Sequence, residues 1–224
     1  MTIAAPLHHN WIDRLDPAVQ AAMQRAMVRR RFDRGTLIYT RSEAPEGLFV
    51  IRKGSALFCL DGENGRRLLL RVLRVNDIMG ESFAFDGKSA PVSMEARTEL
   101  IADLIPDHRL ASLRAEFPAI GQALAHVAAA NLRATLSYLE ELALMPLAER
   151  TVSRLLQLCR EHSDPAPVRL DISQTELAMM LGASRPAVNQ VLAALEASGA
   201  LTRKFRAIEC DPVRFGPIRP RQPV

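Results

Sequence analysis

The sequence predicts an α+β fold in three parts: an N-terminal antiparallel β-roll of jelly-roll type, one long helix, and a C-terminal helix-turn-helix followed by a wing. Three observations carry this reading. Residues from about 30 to 105 hold short apolar runs separated by glycines at turn-like spacing; residues 119–145 lack proline and carry apolar stripes at steps of three and four; residues 174–192 read as helix, tight turn, helix. The parts are bounded at 1–118, 119–146 and 147–224.

Composition supports a folded chain. Its 224 residues are 48% hydrophobic and 24% charged, which suits one or two packed domains and excludes disorder over most of the length. No window approaches the ~18 uncharged apolar residues of a membrane span. Met1-Thr2-Ile3-Ala4-Ala5-Pro6 lacks a basic segment followed by an apolar one, so no leader is read and a cytoplasmic location with no membrane partner is expected. Cys59, Cys159 and Cys210 are too few and too scattered for a disulfide framework, a CxxC pair or an iron–sulfur set. Residues 147–224 carry 11 basic and 8 acidic side chains against 18 and 17 in residues 1–146, so the positive excess lies in the C-terminal third. Such an excess suits an anionic partner or, equally, a solvated face.

The elements follow in order. Asp16-Pro17 opens a short helix through about Val28, with Asp16 as N-cap and Pro17 at the first helical position. Leu37-Ile38-Tyr39, Leu48-Phe49-Val50-Ile51, Ala56-Leu57-Phe58-Cys59-Leu60 and Leu68-Leu69-Leu70-Arg71-Val72 are strand candidates, punctuated by Gly35, Gly47, Gly54, Gly62, Gly65, Gly80 and Gly87. Asp61-Gly62-Glu63-Asn64-Gly65 is the best hairpin turn. After Phe117-Pro118 the texture changes to an alanine- and leucine-rich helix of ~40 Å. One stripe on it runs Leu124, Ala128, Asn131, Thr135, Tyr138, Leu142 and Met145 and is read as a dimer seam; a second, Leu132, Leu136, Leu139 and Ala143, is read as the face that lies on the β-roll. A core helix in a monomer is the alternative. Pro146 ends this helix and starts the next, 147 to about 161; residues 163–167 form a loop and residues 216–224 a frayed tail.

The stretch from Gln174 to Leu192 is the most informative. Leu177, Leu181, Val188 and Val191 supply contacts between two short helices, Ala178 is small at their crossing, and Gly182 occupies a turn that needs positive φ. Ser184 caps the second helix ahead of Pro186. This is the pattern of a DNA-binding helix-turn-helix, with an ordinary αα-hairpin as the alternative. Leu201-Thr202-Arg203-Lys204-Phe205-Arg206-Ala207-Ile208-Glu209-Cys210 then reads as a hairpin wing with a basic tip. Ser173, Gln174, Ser184, Arg185, Pro186, Asn189 and Gln190 form the candidate base-reading end, and Arg203, Lys204 and Arg206 the candidate phosphate contacts.

The chain here resembles bacterial regulators related to the cyclic-AMP receptor protein and the fumarate and nitrate reduction regulator, the CRP/FNR family. The resemblance covers residues 30–212 and rests on Gly35-Thr36-Leu37-Ile38-Tyr39, on Glu46-Gly47-Leu48-Phe49-Val50-Ile51-Arg52-Lys53-Gly54, and on Gly80-Glu81. It continues in the run from Leu139 to Arg150, in Ile172-Ser173-Gln174-Thr175-Glu176-Leu177-Ala178 and in Gly182-Ala183-Ser184-Arg185. It implies a cyclic-nucleotide-binding-like sensor roll, a homodimer, double-stranded DNA as partner at a near-palindromic operator, and RNA polymerase as a further partner.

The departures are informative too. In members that bind cyclic AMP a Gly-Glu pair begins a phosphate cassette that ends in Arg-Ser-Ala; here Gly80-Glu81 is followed, beyond Asp86-Gly87-Lys88-Ser89, by Ala90-Pro91-Val92. The phosphate arginine is missing, which disfavours ordinary cyclic-nucleotide binding unless Lys88 swings in. Gly80, Glu81, Ser82, Lys88, Ser89 and Thr135 remain the candidate effector pocket, made more apolar by Leu136 at the family's adjacent Ser position; the effector itself is unknown. On the reading helix, Pro186 and Gln190 stand where members commonly place Glu and Arg.

Other chemistries find no support. Residues 1–58 contain no cysteine cluster, and His8, His9, Cys59 and His126 are read as surface or core residues rather than haem ligands. There is no P-loop, HExxH or nucleophile elbow, so no catalytic residue, metal site or cofactor is expected and the protein is read as a non-enzyme. Two alternatives stand beside the DNA-binding regulator: a ligand-binding module acting through protein contacts, and a nucleotide-responsive regulator with a non-standard pocket.

Overall fold

The computed structural model describes residues 11–63, 65–162 and 166–215. The expected turn at Asn64, most of the 163–167 loop, the 216–224 tail, His8 and His9 lie outside the described residues. The chain divides into two compact units between Thr135 and Leu136, and the observed strands and helices form the expected α+β architecture.

The first unit begins with a 3₁₀ turn (Ile12–Arg14) and α1 (Pro17–Ala26). Eight strands follow: β1 (Val28–Phe32), β2 (Leu37–Tyr39), β3 (Gly47–Lys53), β4 (Ala56–Asp61), β5 (Arg67–Leu73), β6 (Ile78–Met79), β7 (Ser93–Ala96) and β8 (Leu100–Pro106), with α2 (Phe83–Asp86) after β6. Then come α3 (Asp107–Glu116) and α4 (Pro118–Leu144). Asp16 caps α1, accepting from the Ala18 N–H at 2.8 Å. The helix stops at Ala26 rather than near Val28, because Met27 is extended and residues 28–32 pair with the edge of β8 instead.

The strands form two antiparallel four-stranded sheets, ordered β1-β8-β3-β6 and β2-β7-β4-β5. Phe49, Ile51, Leu100, Ala102 and Leu104 of the first sheet share one core cluster with Tyr39, Ala56, Leu73, Met94 and Ala96 of the second. The opposite side chains of β3, Leu48 and Val50, pack with α1, α3 and the start of α4. Burial on both faces explains why β3 reads as an unbroken apolar run rather than an alternating one. Its first residue must be glycine: a Cβ on Gly47 would stand 2.1 Å from the Ile105 carbonyl oxygen.

Along α4 several residues of the expected dimer seam make contacts within the chain. Leu124 is fully buried with Ile120 and Val127 in the core of its own unit, and Asn131 bonds to Glu81 and Arg71 of the same roll. Tyr138 belongs to the second unit, where its hydroxyl donates to the Met180 carbonyl at 2.5 Å. Leu124 is thus covered by its own chain, whereas Asn131 and Tyr138 stay half-exposed. The second stripe, expected on the β-roll, is instead exposed: Leu132, Leu136 and Leu139 at 61%, 55% and 59%. At 100° per residue this face lies roughly 120° round the helix from Ile120, Val127, Asn131 and Tyr138, with Ala128, Thr135 and half-buried Leu142 between.

The second unit holds the end of α4, α5 (Leu147–Arg160), β9 (Val168–Leu170), α6 (Gln174–Met180), α7 (Arg185–Ala197), β10 (Leu201–Lys204) and β11 (Ala207–Cys210). The strands form a sheet ordered β10-β11-β9. Arg154 of α5, nearly buried, pairs with Glu141 at 3.1 Å and stacks over the Tyr138 ring at 4.6 Å. Among the described residues no helix is long and apolar enough to cross a membrane.

One buried charge in the roll makes a test. Asp103 of β8 receives Arg29 at 2.9 Å and Arg52 at 2.7 Å. Burial alone would raise its carboxyl pKa, but hydrogen bonds and charge from the two arginines hold it below the ordinary range. A depressed folded value means stabilisation that is present above the unfolded value of about 4 and is lost as pH falls through the folded one. Asp103→Asn is expected to lower stability by about 2 kcal/mol at neutral pH and to flatten the acid side of the stability curve, measured by urea denaturation across pH.

Candidate DNA-reading face and effector pocket

The helix-turn-helix is built by its caps. Ser173 accepts from the Glu176 N–H at 3.1 Å while the Glu176 carboxylate accepts from the Ser173 N–H at 2.8 Å, a reciprocal capping box that starts α6. Ser184 starts α7, accepting from the Ala187 N–H at 3.4 Å. Both hydroxyls hold helix ends. Gly182 has φ +57 in the turn between the helices. Leu177, Val188 and Leu192 are buried, and α7 packs on α5, α6 and β10.

This packing leaves Arg185, Pro186 and Gln190 exposed together on the first turn and a half of α7. Gln174 is half-buried at the start of α6. Asn189 is half-buried, and its Oδ1 is buried without a hydrogen-bond partner, so the side chain is turned partly inward from the exposed trio.

In the wing, Arg203 has a partner within the chain. Its backbone N–H and Nε each donate to Glu196 of α7 at 2.8 Å, and this contact holds the Glu196 carboxyl below its ordinary value. Arg203 thus fastens the wing to the reading helix. Lys204 is exposed with its ammonium 3.5 Å from Glu209, and Arg206 is exposed at the tip with φ +54.

The expected effector pocket is only partly assembled. Gly80 follows β6 with φ +90, and a Cβ there would meet the Gly47 carbonyl oxygen at 2.4 Å, so the Gly-Glu turn is fixed by backbone crowding. Glu81 accepts a 2.5 Å hydrogen bond from the Asn131 amide. Burial pushes the Glu81 carboxyl up, opposed by hydrogen bonds, including that from Asn131, and by the charge of Arg71. Arg71 of β5 donates to the Asn131 oxygen at 3.3 Å and lies 3.2 Å from the Asp77 carboxylate.

The remaining pocket residues lie at the surface. Ser82 and Ser89 are exposed, and Lys88 is 80% exposed, 3.9 Å from Asp86 of its own loop. Thr135 is exposed and its hydroxyl donates back to the Asn131 carbonyl at 2.8 Å. Ala90 is buried, its backbone bonded to Ser42 and Glu43. Sequence reasoning missed Arg71 as a partner of Glu81 and Asn131; the signal was a lone arginine inside the run Leu68-Leu69-Leu70-Arg71-Val72. Among the described residues no group of three or more His, Cys, Asp or Glu side chains is arranged to hold a metal ion.

The fold and the exposed reading helix define a class: a β-roll sensor joined to a winged helix-turn-helix. The family profile of the cyclic nucleotide-binding domain matches residues 29–117, and that of the Crp-like helix-turn-helix domain matches residues 149–213. The CRP-like cAMP-activated global transcriptional regulator of Mycobacterium tuberculosis is 30% identical over 183 residues, 80% of this chain and 82% of that protein. The cAMP-activated global transcriptional regulator Vfr of Pseudomonas aeruginosa is 26% identical over 187 residues, 80% of this chain and 87% of that protein. Among solved structures, the c-di-GMP responsive global regulator CLP of Xanthomonas campestris superposes with a TM-score of 0.78 at 24% identity, over 87% of this chain and 99% of that one. The chain belongs to the CRP/FNR family of DNA-binding transcription regulators.

The Glu81 contact gives a second prediction. Its raised carboxyl pKa is a cost that appears as pH rises through the folded value and vanishes below the unfolded one. Asn131→Ala removes a hydrogen bond to the charged form, so it is expected to raise that pKa further. Chemical denaturation should show a loss of about 1 kcal/mol at neutral pH and a smaller loss in acid.

Proposed function

We propose that this regulator is a cytoplasmic homodimer that binds a near-palindromic operator and does not take cyclic AMP in the standard way. In this reading residues 1–118 sense, residues 119–146 dimerise and residues 147–224 bind DNA; RNA polymerase is a further partner and no reaction is catalysed. One observation carries the sensor part: a buried Ala90 methyl stands where the phosphate arginine is expected, while Lys88 is held in its own exposed loop. Burying a phosphate monoanion without a charge partner costs several kcal/mol. Arg71 does not make up the loss, since it is engaged with Asp77 and Asn131.

Arg185 and Gln190, both exposed on α7, support base reading, Arg185 toward guanine and Gln190 toward adenine. Lys204 and Arg206 support phosphate contact, whereas Ser173, Ser184 and Arg203 act by positioning the elements.

Titration calorimetry of the full chain with cyclic AMP is expected to show no binding at micromolar concentrations; a micromolar Kd would overturn the sensor reading. The exposed leucines of α4 support a second copy as their cover, since leaving that face in water costs ~25 cal/mol per Å². Leu136→Glu is expected to convert the protein from dimer to monomer in sedimentation at micromolar concentration, with helix content unchanged by circular dichroism.

A further inference from the structure

At 90%, Phe205 is more exposed than any other large apolar side chain among the described residues. It stands at the tip of the wing. Lys204 pairs with Ala207 across the hairpin, so Phe205 and Arg206 form the whole turn, and Arg206 takes the positive φ that so tight a turn demands. The tip is stiffly mounted: the Arg203 contacts to Glu196 fasten the preceding strand to the reading helix. Lys204 and Arg206 flank the ring with positive charge, the Lys204 ammonium 3.5 Å from Glu209 further along β11.

β10 follows the C-terminal end of the reading helix and is held against it where Arg203 meets Glu196, so the tip stands beside that helix and is placed to meet DNA next to the groove the helix enters. Two bases there hold phosphates, and an aromatic ring projecting between them matches the apolar side chains that proteins insert at base steps from the minor groove.

We propose that Phe205 is an apolar wedge that enters the minor groove flanking each half-site and partly unstacks a base step there. The inference rests on the DNA-binding reading, and the test separates the two. The full-length wild-type chain first enriches duplexes from a random pool; failure to enrich any duplex defeats both. On an enriched duplex, Phe205→Ala is expected to bind about tenfold more weakly, with the same consensus and the same dependence on salt, because an apolar contact releases no counterions. Arg206→Ala should instead reduce the salt slope by about one, and Arg185→Ala should relax the consensus at one base pair. The DNA bend, read from permuted gel mobility, should shrink in Phe205→Ala and be largely kept in Phe205→Leu. Wild-type affinity and bend in Phe205→Ala would overturn the wedge alone, as would loss confined to transcription with purified RNA polymerase, which would place the ring against protein.

Discussion

The structure depends on the division of one helix among several partners. α4 is a single 27-residue element, and at 3.6 residues per turn its side chains fall on distinct faces that cannot be exchanged without rewinding it. Ile120, Leu124 and Val127 close the core of the roll, Tyr138 and Glu141 engage the DNA-binding unit, and the leucines at 132, 136 and 139 are left over.

Asn131 shows how far a single position on that helix reaches. Read along the sequence, a polar residue on an apolar stripe suggests a register-setting contact between helices. In the folded roll it is the link between Glu81 and Arg71. The turn before Glu81 is fixed by the crowding of Gly80 against Gly47, and Ala90 is buried.

The sheets, the long helix and the helix-turn-helix were legible because each has a local signature: glycine-spaced apolar runs, absence of proline over seven turns, and caps such as Ser173 and Ser184. The exposure of the Leu132, Leu136 and Leu139 stripe on α4 was not, because both stripes are apolar and spacing alone does not say which one the roll covers. The same limit applies to Arg203: its charge is visible in sequence, but its partner Glu196 comes from the preceding helix and is found only when the wing folds back. Residues 28–32 were missed as a strand because three consecutive arginines hide an edge strand whose pairing is supplied by β8.

The claim that the leucine face of α4 meets a second copy is tested most directly by cross-linking. Cys59, Cys159 and Cys210 are buried, so a thiol introduced on the helix surface reports its own neighbourhood. Under mild oxidation of the full chain, Leu136→Cys should form a disulfide-linked dimer, while Ser137→Cys, well round the helix from that face, should not. A linked dimer from position 137 and none from position 136 would contradict the account.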